Sequence, residues 1–562
     1  MKQTKRKLTA ILLYGLLLLS GCGAQNTAED TSSTDTETVS SETITATVVS
    51  AIDTSGVFSD RDLAGTYDES AAIPIALNGD SASCGSSSVV IDGSTITITA
   101  EGVYLISGTL NNGQIIVNAG DTAKVQLVLA GADITSSTSA AIYALEADKV
   151  FVTLADGTEN TLTNGGEYVA IDDNNIDAVI FAKTDLTLNG SGSLTIDAQA
   201  GHGVVSKDDL VITGGSYTIT AASHGLSGKD SAAIADGTFA ITSGKDGIHS
   251  ENSDDTSLGW LYIQNGSFTI SSQGDAISAQ GALQIDDGTF DLYTGEGSAS
   301  VEMTSSEQMT SPMGGGQRGG WTDQTTAPDT QTTSTTQTEE DSTSQKGIKG
   351  ESTYTINGGT FNIDSADDCL HAGGEMVIAA GMFTLNSGDD AVHCDDALTI
   401  QSGTFTIPYC YEGIEGLSIT IEDGVFDITS SDDGLNAAGG ADSSGFGGFG
   451  NRPQDTFAAS SDSFILINGG TFTIVSIGDS VDSNGSLTIN GGTLNLTCNG
   501  SGNTAIDCDG TYTNNGGDVT TNDGSESNPG QMGGQAGRGV KGAVGSQAGT
   551  ANFGQPGQTS GT

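Results

Sequence analysis

Basic residues are scarce in this 562-residue chain, where 17 Lys and Arg face 71 Asp and Glu for a formal net charge of −54. A surface with that balance repels phosphate backbones and anionic membranes, which excludes nucleic-acid binding. Aromatics are only 5%, with 2 Trp, and Pro numbers 7. Against 81 Gly, and with Thr, Ser, Asn and Asp crowding the rest, this is too little aliphatic matter for a helical bundle. It is also too rich in turn formers for an α/β enzyme, and it suits many short strands joined by tight turns. Length alone allows several domains of about 150 residues, though elongated β folds run longer as one unit.

Long apolar runs are missing except at the start. Lys2, Lys5, Arg6 and Lys7 precede an apolar run from Leu8 to Leu19, followed by Leu19-Ser20-Gly21-Cys22. The run is shorter than the ~20 residues of a spanning helix, so residues 1–21 read as a signal peptide. The Leu-Ser-Gly-Cys sequence resembles the lipobox of bacterial lipoproteins, which implies that Cys22 becomes the lipidated first residue. Loss of four bases then takes the net charge from −54 to −58. Residues 22–56 form an acidic Ser/Thr-rich linker without periodicity. The expectation is an extracellular protein held at the cell membrane by lipid alone.

What is abundant is an internal repeat. Ten segments share the pattern seen in LVITGGSYTI at Leu210, YTINGGTFNI at Tyr354 and LTINGGTLNL at Leu487. Their second turn residues are Gly215, Gly237, Gly266, Gly288, Gly359, Gly381, Gly403, Gly424, Gly470 and Gly492, at intervals of 22, 29, 22, 71, 22, 22, 21, 46 and 22. The 46 reads as two turns of the repeat, and the 29 and 71 as one or more turns with inserts. Each unit alternates apolar and polar residues around a Gly-rich turn, and about 22 residues cannot bury a core alone. Stacking solves this, so the expected fold is all-β, a single-stranded right-handed parallel β-helix whose coils rise ~4.8 Å each. A β-propeller is the alternative, but its blades need ~40 residues. Phe239, Phe268, Phe290, Phe361, Phe383, Phe405, Phe426 and Phe472 share parity with the following Ile residues, which places them inside rather than on a sugar-stacking surface. The solenoid is expected over residues 57–520, with low-complexity inserts at 302–350 and 439–462 and a disordered tail at 521–562.

Stacking converts register into columns. Nine residues after the marker Gly stand Asp246, Asp275, Asp368, Asp390, Glu412, Asp433 and Asp479. Twelve after it stand His249, Ser278, His371, His393, Glu415, Asn436 and Asp482, while Asp367, Asp389 and Asp432 add second acids. Carboxylates ~5 Å apart repel by about 1 kcal/mol per pair even in water. Between residues 354 and 520 the only Lys or Arg is Arg452, inside an insert. A hard divalent cation neutralises such a column economically, and carboxylate predominance favours Ca²⁺ over a softer ion. The opposing reading is that these acids are solvated turn residues, common beside Gly.

The span FSDRDLAGTYDES at Phe58, the run SSTSAAIYALEADKVFVTLADGTENTL at Ser136 and the Gly-Gly-Thr-Phe coils with Asp-Gly-Ile-His turns resemble a known family over roughly residues 57–520. These are secreted bacterial carbohydrate-binding proteins, first recognised in a cellulolytic clostridium, with a pectate-lyase-like parallel β-helix. The resemblance implies binding of cellulose and acidic pectic polymers such as polygalacturonate, with calcium held in the β-helix. Only the acidic turns carry over residue by residue.

The expectation is therefore a monomeric, non-catalytic polysaccharide-binding protein with Ca²⁺ at the acidic turns. A β-eliminating lyase would need a base near the substrate proton, and Lys245 beside Asp246 is the one candidate. A hydrolase is suggested only by Gly201-His202-Gly203 and Asp172-Asp173, without the downstream basic motif. An adhesin or structural stalk is a third class. Trp260, Trp321, Tyr409 and Tyr411 are the candidate sugar-stacking aromatics. Cys84, Cys369, Cys394, Cys410, Cys498 and Cys508 share no column, which leaves their pairing open.

Overall fold

A computed structural model describes residues 51–301, 303, 344–438 and 462–529. The chain divides into two compact units, 1–45 and 46–562, and all described residues belong to the second. The signal peptide, Cys22, most of the linker, the bulk of both inserts and most of the tail lie outside the described residues.

The regular structure of the described residues is nearly all strand, with one short α-helix, Asp60–Ala64. Its strands form one sheet of 30 and one of 15. The larger sheet holds two parallel ladders, joined where the long strand Lys124–Ser136 pairs with both Lys149–Leu154 and Glu159–Asn164. One coil illustrates the path. Ala397–Ile400 lies in the first ladder, Thr404–Tyr409 in the second and Ile414–Glu415 in the third, before Ser418–Ile421 returns to the first. Parallel strands in this cyclic order are what a β-solenoid requires.

Side-chain alternation sets the core. Thr289–Thr294 alternates exposed and buried positions without exception, so Phe290 and Leu292 point inward, as parity anticipates. The eight Phe rings stack from Phe239 to Phe472 at centroid separations of 4.5–5.0 Å. That is the strand spacing itself, so each ring sits directly on the one below. The marker glycine makes room for it. Gly381 has φ 147, and a Cβ there would lie 2.6 Å from the Phe383 ring, so any side chain would be both strained and in collision.

Register corrects the interval arithmetic. Phe426 pairs directly with Phe472, their rings 4.5 Å apart. The 46-residue interval is therefore one coil with an insert, not two turns. Phe239 likewise pairs with Phe268, and Phe290 with Phe361, so the 29 and 71 are single coils as well. Inserts leave and rejoin the stack at the same level, and chain length alone does not count the rise. The insert at 302–350 also ends earlier than its composition indicates, since Ile348–Gly350 is a buried third-ladder strand and Lys346 is buried. At the far end Asp518–Thr521 still pairs with the preceding coil and Ser525–Ser527 forms a 3₁₀ turn, so order runs past 521.

Candidate functional site

The turn between the second and third ladders carries the acidic column, and the sequence shapes it locally. The last inward residue of the second-ladder strand is often Ser, whose hydroxyl donates to a backbone carbonyl of the turn. Ser243 reaches Lys245 O at 2.9 Å, Ser272 Gly274 O at 2.9 Å, Ser365 Asp367 O at 2.7 Å and Ser476 Gly478 O at 3.0 Å. This tucks the next residues inward, so the column is buried rather than solvated. Asp246, Asp275, Asp368, Asp390 and Glu412 are all buried, Asp368 completely.

One oxygen of each acid stitches coils together. Asp246 Oδ1 accepts the N–H of Asp275 at 2.9 Å, Asp275 Oδ1 that of Lys346 at 2.8 Å and Asp368 Oδ1 that of Asp390 at 3.0 Å. Asp390 Oδ1 accepts from Glu412 N at 3.2 Å and Asp433 Oδ1 from Asp479 N at 2.6 Å. The other oxygen meets the residue three positions on. Asp246 Oδ2 lies 2.7 Å from His249 Nδ1, Asp368 Oδ2 2.9 Å from His371 Nδ1 and Asp390 Oδ2 3.1 Å from His393 Nδ1. The Asp-x-x-His motif is thus a turn with one oxygen on the next coil's N–H and the other on its own histidine.

The column contains a base that sequence reading placed in an insert. Lys346 Nζ lies 2.9 Å from Asp367 Oδ1 and 2.7 Å from Asp368 Oδ2, all buried. Lysine therefore is present to neutralise Asp367 and Asp368, contrary to the expectation of a strip without one. Burial alone would raise the Asp368 carboxyl, but Lys346, His371 and His393 hold it well below the usual range. Lys349 stands in third-ladder register between Ser278 and His371. Burial would lower this lysine, yet Asp275 and Glu351 push it up.

Further along no lysine follows among the described residues, and the cation is His393, 3.1 Å from Asp390 Oδ2 and 2.8 Å from Glu415 Oε2. Burial, then Asp389 and Glu415, raise Asp390 well above the carboxylate range. Burial, then Glu415 and Asp390, do the same to Glu412, and burial with Asp482, Asp432 and Asp479 to Asp433. Asp275 is pushed to about 7 by burial and Asp246. Ligand atoms converge within 4.8 Å in Asp390–His393–Glu415, Asp367–Asp368–Asp389 and Asp479–Asp482–Asp507. Asn436, 4% exposed, donates to Glu412 Oε2 at 2.8 Å while its own Oδ1 has no hydrogen-bond partner. Buried Asp390 and Glu412 with half-buried Glu415 and an unsatisfied amide oxygen, and the half-buried all-oxygen set Asp479, Asp482 and Asp507, have the donor chemistry of a hard divalent cation. Asp367, Asp368 and Asp389 fit one less well, because Lys346 already lies between the first two.

Two members went unrecognised in the sequence. His224 stands nine residues after Gly215 and was passed over because it is not an acid. Asp507 follows Ile506, which bridges to Val481 just ahead of Asp482, but the terminal coil lacks the marker. Among the aromatics, Trp260 and Tyr409 are half-buried and Tyr411 is buried, while Trp321 lies outside the described residues. The exposed rings among the described residues are instead Tyr293, at 41%, and Phe464, at 39%. Tyr293 flanks a shallow cavity of about 240 Å³ lined by Thr218, Thr220, Thr242, Thr269, Ser271 and Asp291. The six cysteines described are all free thiols.

The fold and strip define a parallel β-solenoid protein rich in buried carboxylate. The family described as carbohydrate-binding domain-containing protein matches residues 92–391 and 389–535, and the chain belongs to it. A carbohydrate-binding domain-containing protein of Acetivibrio thermocellus is 43% identical over 128 residues, 22% of this chain and 45% of that protein. The chain thus spans about half the length of the curated relative it matches. It is also similar to the solved polysaccharide lyase-like protein from C. thermocellum, a gadolinium derivative. That match is 35% identical, with a TM-score of 0.39, and covers 40% of this chain and 92% of that one.

Proposed function

We propose that this protein is a non-catalytic, monomeric, cell-surface polysaccharide-binding protein on a single-stranded right-handed parallel β-helix, anchored through lipid on Cys22. Family membership supports carbohydrate binding. Asp390 and Glu412, both raised well above the carboxylate range although His393 lies 3.1 Å from Asp390 and 2.8 Å from Glu415, support the rest together with the unsatisfied Asn436 oxygen. Ca²⁺ held there, and by Asp432, Asp433, Asp479, Asp482 and Asp507, would supply positive charge that an acidic pectic polymer can share. The chain's own residues bind and space the cation, and the buried Lys346 makes Asp367 and Asp368 independent of it. Sign matters here. A −54 protein repels polygalacturonate unless a divalent cation lies between them.

The test is retention of the full chain on insoluble polygalacturonate in Ca²⁺ and in EGTA, with unsaturated and reducing sugar assayed in the supernatant. Expected is loss of retention by about tenfold or more on chelation, roughly 1.4 kcal/mol, and no sugar product. Product release would establish an enzyme instead, with Lys245 the first residue to replace.

A cellulose arm rests on a different observation, the exposed Tyr293 at a shallow cavity whose lining mixes Thr, Ser and Asp with Ile219, Ala240, Ile241 and Ile270. An amphipathic ring of this kind stacks on a sugar face while Thr, Ser and Asp bond its edges. Tyr293→Ala is expected to weaken retention on cellulose by up to about tenfold and to leave polygalacturonate binding unchanged. Equal loss on both polymers would refute separate faces.

A further inference from the structure

Lys346 and Asp367 meet where the chain rejoins the stack behind its longer insert, and their surroundings hold more than an ion pair requires. Lys346 Nζ lies 2.9 Å from Asp367 Oδ1 and 2.7 Å from Asp368 Oδ2, and the three residues are 5%, 3% and 0% exposed. Asp367 Oδ1 also accepts the Asp368 N–H at 3.0 Å, whereas its Oδ2, equally buried, has no hydrogen-bond partner. We propose that Lys346 and Asp367 condense into an intramolecular amide, a covalent cross-link between adjacent coils, with Asp368 as the base that frees the amine. The inference stands apart from the carbohydrate reading and survives its failure.

Each part of an acyl transfer has its residue. The nucleophile is Lys346 Nζ, held against the carboxyl group whose Cγ it attacks. Asp368 Oδ2 is within proton-transfer reach of that nitrogen. Its own position is fixed, because Oδ1 accepts the Asp390 N–H at 3.0 Å and His371 Nδ1 meets Oδ2 at 2.9 Å. As Cγ turns tetrahedral, charge gathers on Asp367 Oδ1, where the Asp368 N–H already points, and a preorganised backbone donor stabilises such an oxyanion. Oδ2 is the departing oxygen. Its loss breaks no hydrogen bond and relieves the cost of a buried oxygen left without a partner. Ser365 and Ser387 both donate to Asp367 O at 2.7 Å, which holds the residue in place.

Atoms and protons balance without a co-reactant. The bond formed is Nζ–Cγ and the bond broken is Cγ–Oδ2. The ammonium gives up two of its three protons through Asp368, both end on Oδ2, and one water leaves. The third proton stays on the amide nitrogen, and Asp368 finishes ionised as it began. The first transfer exchanges two buried charges for two neutral groups, which desolvation favours. Bulk water would drive the reverse reaction, but burial keeps it out, and holding amine and acid in contact is worth an effective concentration of about 10⁵ M or more. The ion pair is thus the state from which the bond forms. The link closes over 21 positions and fastens the returning chain to the next coil.

The full chain would be purified, unfolded in denaturant, digested with trypsin and chymotrypsin, and mapped by mass spectrometry. Expected are two peptides joined between Lys346 and Asp367, lighter than their sum by one water and uncut after Lys346. Lys346→Arg and Asp367→Ala should each abolish the link, and Asp368→Asn should slow its appearance in freshly made chain by about 100-fold or more. Thermal melting checks that the variants fold. Should a substitution unfold the chain, the wild-type map decides alone, because the joined peptides uphold the bond. A folded wild-type chain that trypsin cuts after Lys346, with both peptides at full mass, overturns it. So does a bond mapped to Asp368 or Asp389, or a folded Asp368→Asn chain that links at the wild-type rate.

Discussion

Lys346→Met is expected to destabilise the folded chain by about 3–5 kcal/mol in EGTA. Methionine keeps much of the lysine stem but removes the ammonium that sits 2.9 Å from Asp367 Oδ1 and 2.7 Å from Asp368 Oδ2. Both carboxylates are enclosed, at 3% and 0% exposure, so water cannot replace the lost partner. The cost is that of stranding buried charge, not the modest net worth of an ion pair. The same reasoning fixes the control. Asp367→Asn and Asp368→Asn added to Lys346→Met remove the stranded charge while an amide oxygen at 368 can still accept the Asp390 N–H, so most of the loss should return. Calcium offers a second rescue, because the vacated position among Asp367, Asp368 and Asp389 then resembles the oxygen clusters of later coils. A Lys346→Met chain that melts within about 1 °C of wild type in EGTA would falsify the assignment of Lys346 as the strip's built-in counterion.

That lysine also shows where sequence and structure part. Phe361 and Ile363 reveal the coil because identical residue types recur at one register and the exposed Asn362 between them fixes parity. Composition cannot reveal that residues 344–350 already belong to the stack after a low-complexity run. Their docking is tertiary: Ser344 Oγ donates to Asp275 Oδ1 at 2.7 Å and Gln345 Nε2 to Gln273 O at 3.0 Å. The acids of the column were legible as a column, yet their burial was not. Which oxygen accepts the next coil's N–H depends on a vertical alignment that only the paired strands define. His224 occupied a legible position under a residue type that the search for acids ignored. The interval of 46 misled for a simpler reason, since two coils and one coil with an excursion have equal chain length.

Acid pH should stabilise the metal-free protein relative to alkaline pH, with the melting temperature in EGTA falling by about 5 °C or more from pH 6 to pH 9. The sign follows from which state holds protons more tightly. Asp275, pushed to about 7 by burial and Asp246, and the still more strongly raised Asp390, Glu412 and Asp433 remain protonated in the fold where the unfolded chain has released its protons. Stability is therefore lost as pH rises from their ordinary values up through their folded values, and no further above them. His249 acts in the same direction, because Asp246 and Glu251 overcome burial and raise it to about 9, so its contribution vanishes as pH climbs to that point. His202, lowered to about 4 by burial and Lys207, and the likewise lowered His224 oppose this only below the ordinary histidine range. Asp368, held low, acts only in stronger acid. Calcium should flatten the profile by taking the place of those protons, adding about 2.7 kcal/mol at a hundredfold excess over Kd. A melting temperature in EGTA that is flat or rises between pH 6 and 9 would mean that the buried carboxylates find their compensation elsewhere. A profile that falls but ignores calcium would keep the electrostatics and reject the metal.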